Sequence, residues 1–279
     1  MRRKLPSKAR SVITGAGSGF GRAVALELAG RGARVLVSDV DLESAQATAT
    51  LCKERGAEAV AMAADVREPA QIEALSKKAK ELWGGTDVLV NNAGMAVVGE
   101  IGKIPIEDWK LQVEINLYGV IWGCHFFVPE MKERGNGFIL NVASAAGIAS
   151  APMMGPYNVT KAGVIALSET LYTELAKDNV AVTALCPTFF RTNIHKSTRA
   201  HGGNTGPRTD KLVTEAKWSA EQIAEIAIDG MLKGKLYVLP QTDAKVTWRV
   251  KRLLGQGFYD ALGMMARRGT LDRAMGSKD

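Results

Sequence analysis

Seven short apolar segments rich in Val, Ile, Leu and Ala recur along the chain, separated by longer stretches with helical spacing. Short runs without a polar face predict strands buried on both sides, which is typical of parallel sheets. These segments are residues 11–14, 34–39, 59–65, 87–94, 137–144, 180–187 and 235–240. Helices are predicted over residues 20–31, 41–55, 69–82, 107–134, 157–177 and 219–232. The alternation favours an α/β fold, a parallel seven-stranded sheet with helices on both faces and right-handed crossovers.

The length of 279 residues and the hydrophobic content of 46% suffice for one large core, so we expect a single domain over residues 1–279. Residues 189–217 interrupt the alternation because they are polar and long for a plain connection, which favours a substrate loop or lid. Residues 241–279 form a basic and apolar C-terminal extension. Ser219 and Gln222 have the spacing of a capping box and predict the start of the last of these helices.

The formal net charge of +7 is concentrated at the two ends of the chain. Residues 1–10 contain five Lys or Arg and no acid, and residues 191–279 contain 16 Lys or Arg against 9 Asp or Glu. Residues 11–190 have an acidic excess. This distribution favours an anionic surface, a membrane or a cofactor phosphate as partner over a basic nucleic-acid-binding fold.

The three cysteines are widely spaced in apolar surroundings, which favours neither a disulfide framework nor a metal site and is typical of a reducing, cytoplasmic setting. The most apolar run, residues 118–128, is too short to span a bilayer. The basic N-terminus lacks the apolar segment of a signal peptide. We therefore expect neither a transmembrane segment nor a bound metal.

A glycine-rich turn joins the first predicted strand to the first helix, in the stretch VITGAGSGFGRAVALELA. Gly15, Gly19 and Gly21 let the backbone bend tightly and approach a pyrophosphate, while the helix N-terminus offers N–H groups to the phosphates. Three glycines also form an ordinary turn, so the prediction depends on the surrounding strand and helix.

Asp39 ends the second predicted strand, where a carboxylate binds the hydroxyls of an adenosine ribose and repels a 2′-phosphate. This position favours NAD over NADP as cofactor. Arg22 and Arg34 lie nearby and weaken the preference, and a strand-end turn or helix cap is the alternative role for Asp39.

Seven motifs in order resemble the short-chain dehydrogenase/reductase superfamily over residues 8–240. They are TGAGSGFG (14–21), DV (65–66), NNAG (91–94), Asn116 in INLYG, Ser144 in NVASAAG, YNVTK (157–161) and CPTFFRT (186–192). The resemblance implies a single doubly wound Rossmann-type domain that binds a nicotinamide cofactor and interconverts a hydroxyl and a carbonyl. It also implies a homodimer or homotetramer.

On this resemblance, Asp65 and Val66 contact the adenine and Thr192 contacts the nicotinamide carboxamide, although Asp65 could instead simply end a strand. The full cofactor set is Gly15, Ser18, Gly19, Phe20, Gly21, Asp39, Asp65, Val66, Asn92, Ala93, Gly94, Tyr157, Lys161, Pro187 and Thr192. One position departs from the family pattern, because Pro187 is followed by Thr188 where the family has glycine. This replacement bears on the local backbone and on the orientation of the nicotinamide.

Tyr157 and Lys161 are four residues apart and share one face of a predicted helix. A free tyrosine is a poor base, with a pKa of about 10, and a neighbouring ammonium together with a nearby positive nicotinamide ring favours its phenolate. Ser144 is expected to hydrogen-bond the substrate oxygen. On the resemblance, Asn116 holds a water that links Lys161 to solvent. Each residue alone has an ordinary structural role as its alternative, but the joint order and spacing favour catalysis.

Residues 145–156, together with Phe189 and Phe190, predict an apolar substrate pocket, which suits a hydrophobic secondary alcohol or its ketone. The alternative is that some of these residues only pack the core. Residues 245–273 contain seven Lys or Arg against two Asp, interleaved with apolar residues. This composition fits an amphipathic helix that lies on an anionic membrane or covers the cleft. A helix docked on its own chain or on a partner subunit is the favoured interpretation.

The leading hypothesis is an NAD-dependent alcohol dehydrogenase or carbonyl reductase. The alternative is a catalytically idle cofactor-binding regulator or scaffold, against which the intact set of Asn116, Ser144, Tyr157 and Lys161 argues. A nucleic-acid binder is disfavoured, because no recognition motif or aromatic stacking platform accompanies the basic segments.

Overall fold

The computed structural model describes residues 3–202 and 205–270. Its strands are β1 (Arg10–Ile13), β2 (Arg34–Asp39), β3 (Ala59–Ala63), β4 (Val88–Asn91), β5 (Val97–Gly99), β6 (Gly137–Val142), β7 (Val180–Leu185), β8 (Arg199–His201) and β9 (Tyr237–Val238). Seven of them form one parallel sheet in the order β3-β2-β1-β4-β6-β7-β9. Each strand of this sheet arises from one of the seven apolar segments, so the predicted sheet is confirmed.

The helices of the described residues are α1 (Gly19–Gly30), α2 (Leu42–Glu54), α3 (Pro69–Trp83), α4 (Ile106–Val113), α5 (Gly119–Arg134), α6 (Ala146–Ala149), α7 (Gly155–Glu174), α8 (Thr205–Thr214), α9 (Ala220–Leu232), α10 (Thr242–Leu254) and α11 (Gln256–Arg267). Two hydrophobic cores lie on opposite faces of the sheet. Val88 and Val90 pack in the core with α1, α2 and α9, whereas Leu89 packs in the core with α3, α5 and α7. Alternate residues of one strand thus fill both cores, as expected for a sheet covered on both sides.

The helix predicted over residues 107–134 is interrupted by one π-helical turn, Glu114–Tyr118, between α4 and α5. The backbone N–H of Gly119 donates to Glu114 O, five residues earlier. Such a turn widens the helix locally and is frequent at functional sites. It contains the predicted site residue Asn116, which is fully buried.

The segment predicted as a polar loop or lid, residues 189–217, has more regular structure than its composition indicates. It contains a short 3₁₀ turn, Ile194–Ser197, strand β8 and helix α8. Strand β8 pairs in parallel with β5 in a small second sheet. Isolated strand pairs are marginally stable in water, so side-chain contacts must hold this one in place.

Those contacts come from Asp108 of α4, which is only 5% exposed. Its carboxylate accepts hydrogen bonds from Arg199 and His201, at the two ends of β8. Burial opposes ionisation of Asp108, but the hydrogen bonds from Arg199 and His201 outweigh it and lower the pKa of the carboxyl. The acid is therefore charged at neutral pH and fixes β8 against the body of the fold.

The predicted capping box at the start of α9 is present: Ser219 Oγ accepts from Gln222 N, and Gln222 Oε1 accepts from Ser219 N. The C-terminal extension forms α10 and α11. Among the described residues, no helix is both long enough and apolar enough to cross a bilayer.

Candidate active site

The carboxyl ends of β1 and β4 lie side by side at the point where the strand order reverses. Ligands bind at this point in doubly wound sheets. Asn92 joins the two strand ends, because its Nδ2 donates to Thr14 O at 2.9 Å and to Gly15 O at 2.8 Å. Thr14 Oγ1 accepts from the backbone N–H groups of Asn92 and Ala93. The glycine loop and the NNAG motif therefore form one connected unit.

Two glycines of the loop are required by their surroundings. Gly15 has a φ of 61°, and a Cβ at this position would lie 2.6 Å from Ala93 Cα. Gly19 has a φ of 52°, and a Cβ there would lie 3.0 Å from Thr192 Oγ1. Within the described residues, the Ser18 side chain makes no capping bond to α1. The first N–H groups of that helix can therefore bind an anion, and Thr192 lies beside them.

Phe20 and Phe190 pack edge to face, with ring centroids 5.3 Å apart, and both are buried. The expectation that Phe190 lines a substrate pocket is wrong, because its ring is part of the core beneath the glycine loop. The side chain of Phe20 faces the same core, which leaves its backbone for any cofactor contact. Phe189 is 42% exposed and remains available to a substrate.

Asp39 lies at the end of β2, beside the glycine loop. Its Oδ2 accepts a hydrogen bond from Gly17 N at 2.8 Å, which holds the carboxylate at the edge of the crevice. The two arginines that weakened the NAD prediction have other partners. Arg22 donates to Gly17 O, and Arg34 Nε lies 3.2 Å from a carboxylate oxygen of Glu58.

Asp65 and Val66 follow β3, and the family resemblance predicts that they contact the adenine. The carboxylate of Asp65 pairs with Arg67, whose Nε lies 2.9 Å from Oδ2. The hydrogen bonds from Arg67 lower the pKa of Asp65. Val66 is 7% exposed and packs against Gly119 at the start of α5. The side chains of both residues thus have partners within the chain, and their contact with adenine stays a prediction.

Ser144, Tyr157 and Lys161 converge from two elements. Ser144 follows β6, and the other two lie one turn apart on α7. Lys161 Nζ lies 5.7 Å from the centroid of the Tyr157 ring and donates to Val142 O at 2.7 Å. Ser144 Oγ accepts from Ala146 N at 3.1 Å, and the interaction of Ser144 with the Tyr157 hydroxyl bears on the pKa of that hydroxyl. The structure therefore brings together three of the four predicted catalytic side chains in direct proximity.

Burial dominates the electrostatics of this group in the chain alone. Burial raises the pKa of the Tyr157 hydroxyl, and the interaction with Ser144 opposes this rise without cancelling it. Burial also lowers the pKa of Lys161 to about 8. Lys161 by itself therefore does not give the lowered tyrosine pKa, which the sequence predicts from the ammonium and a nicotinamide ring together. A further positive charge close to the phenol oxygen is needed to lower it.

Asn116, the fourth predicted catalytic residue, is held by the backbone of Met95. Its Nδ2 donates to Met95 O at 2.9 Å, and its Oδ1 accepts from Met95 N at 2.9 Å. A Cβ placed on Gly94 would lie 3.4 Å from Asn116 Oδ1 and 3.7 Å from Lys161 Nζ. Gly94 thus keeps open a space that the asparagine and the lysine both face.

Pro187 and Thr188 follow β7 and connect the segment around Ser144 to the C-terminal extension. Pro187 O accepts from Ala145 N at 2.9 Å, next to Ser144. Thr188 N donates to Gln241 Oε1 at 3.1 Å, and Thr188 Oγ1 donates to Asp243 Oδ1 at 3.2 Å. Thr188 is not among the described non-glycine residues with positive φ. The backbone here does not require glycine, so the departure from the family pattern causes no strain.

The segment after Ser144, residues 145–156, includes α6 and two non-glycine residues with left-handed backbone, Ser150 with a φ of 50° and Met153 with a φ of 65°. Such conformations cost energy and persist where the surroundings fix them. Met153 O accepts from Gly99 N at 2.7 Å, and Met153 is 37% exposed. The segment is therefore tied to β5 while it presents an apolar side chain.

Sequence reasoning missed two residues that fix segments near Ser144 and β5. Asp108 holds β8, and Gln241, which is 3% exposed, binds the backbone after Pro187. Neither residue belongs to a recognisable motif. Their partners lie far away in sequence, so no local pattern reveals them.

Two surface cavities of about 560 Å³ and 520 Å³ lie away from Ser144, Tyr157 and Lys161. The first lies between α9, β9 and α10, and the second lies near the N-terminal edges of β1 and β2. Ser144, Tyr157 and Lys161 instead lie at the carboxyl edge of the sheet, outside both cavities.

Comparison with known proteins agrees with this geometry. The family model adh_short, described as short chain dehydrogenase, matches residues 10–203, which is more than half of the chain. The protein belongs to the short-chain dehydrogenase family, whose fold is the one described above.

Three similar proteins illustrate the relationship. A short chain dehydrogenase/reductase from Burkholderia phymatum, solved in complex with NAD, is 31% identical and superimposes with a TM-score of 0.85 over 90% of this chain and 95% of its own. A CLA biosynthesis dehydrogenase/reductase of Lactiplantibacillus plantarum is 29% identical over 89% of this chain and 94% of its own. The oxidoreductase EphD of Mycobacterium bovis is 31% identical over 88% of this chain, which spans only 43% of that relative.

Proposed function

We propose that this protein is an NAD-dependent oxidoreductase that interconverts a hydrophobic secondary alcohol and its ketone, with Tyr157 as the general acid and base. The observation that supports the proposal most strongly is the grouping of Ser144, Tyr157 and the 4%-exposed Lys161 beside a glycine loop. A chain that only binds a cofactor has no need of this grouping.

The residues of the crevice fit a nicotinamide dinucleotide. The N-terminus of α1 offers N–H groups to the pyrophosphate. The close contacts at Gly15 and Gly19 leave no room for a side chain at these two positions. The Asp39 carboxylate can accept from the adenosine ribose hydroxyls, and it repels a 2′-phosphate. When bound, NAD accepts the hydride from the carbinol carbon. The NAD found in the Burkholderia phymatum relative supports this choice of cofactor.

The chain's own residues handle the proton. In the oxidation direction, Tyr157 accepts the hydroxyl proton while the carbinol carbon loses hydride, so the carbonyl forms without a charged product. Ser144 donates a hydrogen bond to the substrate oxygen and stabilises the charge that develops on it. The ammonium of Lys161 favours the phenolate of Tyr157, and the space beside Gly94 suits a water that passes the proton towards Asn116.

The substrate class follows from the side chains available at the mouth of the crevice. Met153 and Phe189 are 37% and 42% exposed, and both lie on segments adjoining the catalytic residues. Apolar side chains exposed beside a polar catalytic group favour a substrate with an apolar body and a single reacting oxygen. We therefore place lipophilic alcohols and ketones ahead of sugars.

The test is the Tyr157→Phe variant, assayed with a panel of lipophilic alcohols and ketones and with both NAD and NADP. We expect turnover with NAD to fall by at least about 100-fold, because Phe removes the proton acceptor and retains the ring. Cofactor binding, followed by nicotinamide fluorescence, should change little. Near-normal turnover in the variant would rule out Tyr157 as the base.

The same experiment addresses the alternative of a catalytically idle regulator or scaffold. In that case the wild-type chain and the variant would both bind NAD, and neither would turn over any member of the panel. Better turnover of small polar sugars than of lipophilic alcohols would instead overturn the proposed substrate class.

A further inference from the structure

Helix α10 docks on its own chain through one face, as the sequence favoured. Ala244 on this face is 2% exposed. Trp248 contacts the ring of Tyr237, with centroids 5.5 Å apart, and Lys251 Nζ donates to Ile148 O in α6. The inner face of α10 consists of residues 244, 248 and 251, which have the i, i+4 and i+7 spacing of a single helix face.

A second face of α10 is apolar and exposed. Val246, Val250, Leu253 and Leu254 follow the same i, i+4, i+7 and i+8 spacing and are 52%, 36%, 85% and 55% exposed. Single exposed apolar residues are ordinary on protein surfaces, but a continuous stripe along one helix indicates a contact surface. We call these four residues the apolar stripe.

A third face, between the inner face and the apolar stripe, is basic. It contains Lys245, Arg249 and Arg252, again at i, i+4 and i+7. The guanidinium of Arg252 lies 4.8 Å from the centroid of the Trp248 ring. Within residues 3–202 and 205–270, the side chains of Lys245 and Arg249 form no ion pair or hydrogen bond. Their charges are therefore open to an external anion.

Lys245 and Arg249 also line the cavity of about 560 Å³ between α9 and α10. Lys233 and Lys235 contribute two more cations to its wall, and Glu225 and Asp229 contribute two carboxylates on the α9 side. Lys233 Nζ lies 3.7 Å from Asp229 Oδ2, which offsets part of this charge. The α10 side of the cavity remains cationic.

We propose that α10 is a peripheral membrane-docking surface that lies in the interface of an anionic bilayer. The apolar stripe would enter the boundary between headgroups and acyl chains, and Lys245 and Arg249 would bind the phosphates beside it. A helix with an apolar face bordered by Lys and Arg is typical of interfacial helices. The cavity behind the basic face has the size and charge to admit a phospholipid headgroup.

Charge complementarity favours a bilayer over a second copy of the chain as the occupant. In an antiparallel two-fold contact through the apolar stripe, the basic face of one copy would lie beside the basic face of the other. Like charges at such a contact are unfavourable. An anionic lipid surface supplies the opposite charge and attracts each Lys or Arg that comes near it.

The position of α10 gives this docking a consequence for the cleft. Lys251 of α10 binds Ile148 O, and Tyr259 of α11 donates to Ala149 O at 3.2 Å, so both helices contact α6. The segment that follows Ser144 is thus adjacent to the proposed membrane surface. A lipophilic molecule leaving the bilayer would have a short path to the crevice.

The test is sedimentation of the full-length chain with vesicles, which requires no activity and is independent of the proposed reaction. We expect binding to phosphatidylcholine vesicles that contain phosphatidylserine, and loss of binding with phosphatidylcholine alone or at high salt. Lys245→Gln and Arg249→Gln should each weaken partitioning by about fivefold. The double variant Val246→Asp with Leu253→Asp should weaken it by at least about tenfold.

Ile106→Asp is the matched control, because Ile106 is an apolar residue that is 67% exposed at the start of α4, away from α10. This variant should bind vesicles like the wild type. Thermal unfolding of each variant verifies that the fold is intact. Equal pelleting of the wild type and the Val246→Asp, Leu253→Asp variant would overturn the proposal. So would light scattering that shows an oligomer in the wild type and a monomer in this variant, which would assign the stripe to a second copy.

Discussion

Lys161 is a cation that the fold keeps almost entirely away from water. It is 4% exposed, and its amine donates to a single backbone carbonyl, Val142 O, at 2.7 Å. Desolvation penalises the charged form and lowers the pKa of Lys161 from 10.5 to about 8. Between these two pH values the unfolded chain binds more protons at this residue than the folded chain does. The contribution of Lys161 to the free energy of unfolding therefore rises with pH across that window.

This linkage gives a prediction that requires no substrate. Relative to the Lys161→Met variant, the wild type should gain about 2 kcal/mol of unfolding free energy between about pH 7.5 and about pH 10. Urea unfolding of both proteins at the two pH values measures the difference. Lys177→Met serves as the control, because Lys177 is exposed, and its difference from the wild type should not depend on pH. A constant difference for Lys161→Met would show that the lysine is not desolvated.

Tyr157 shows what a residue's sequence neighbours can and cannot predict. Its spacing from Lys161 predicted their shared helix face, and the structure confirms that they lie together on α7. The direction of its pKa shift depends on burial, which the spacing does not report. Burial raises that pKa in the chain alone.

At the scale of elements, the π-helical turn between α4 and α5 shapes the catalytic side of the sheet. The sequence predicted one continuous helix over residues 107–134, because the apolar spacing is helical on both sides of the turn. The extra residue in the turn orients Asn116 towards the backbone of Met95 and the space beside Gly94. Periodicity cannot distinguish five residues of π-helix from α-helix, since only the hydrogen-bond partners differ.

The pairing of β5 with β8 holds part of residues 189–217 in place. Asp108 supplies its anchor, with hydrogen bonds from Arg199 and His201. Interactions with these two residues lower the pKa of Asp108. The carboxylate therefore stabilises the fold at pH values above the ordinary pKa of an aspartate. That contribution is lost only as the pH falls through the lowered value.

Asp108→Asn should therefore loosen residues 189–217 at neutral pH. We expect trypsin to cleave within this segment about tenfold faster than in the wild type, because the amide leaves Arg199 without its charged partner. Mass spectrometry of the first fragments locates the cleavage sites. Glu107→Gln is the matched control, since it removes a neighbouring charge from the same helix and should leave the cleavage rate unchanged. Equal rates in the two variants would contradict the anchoring role of Asp108.

At the scale of the whole molecule, the C-terminal extension is part of the catalytic body. Thr188 bonds to Gln241 and Asp243 at the start of α10, and α10 and α11 contact α6. The crevice is thus supported by residues from both ends of the sequence. Thr188 replaces the family's glycine. A glycine here could keep the backbone bond to Gln241, but it has no hydroxyl to bond Asp243.

Lys251→Met should raise KM for a lipophilic substrate by up to about tenfold, because the lost hydrogen bond to Ile148 O releases the segment after Ser144. The value of kcat should change much less, since Ser144, Tyr157 and Lys161 are not touched. Lys245→Met, on the exposed basic face of the same helix, is the matched control and should retain the wild-type KM in vesicle-free solution. A wild-type KM in Lys251→Met would show that α10 does not support the cleft.

The sequence by itself determined the seven strands of the main sheet, most of the helices between them, and the glycine loop. These features arise from local periodicity and from residues whose backbone requirements are read within a few positions. The grouping of Ser144, Tyr157 and Lys161 was also predictable, because parallel strands end at one edge and because i and i+4 share a helix face. The tertiary structure alone decided that Phe190 belongs to the core, that Asp108 anchors β8, and that the extension binds Thr188 and Ile148. Each of these results depends on burial and on partners distant in sequence, which only the packed chain brings together.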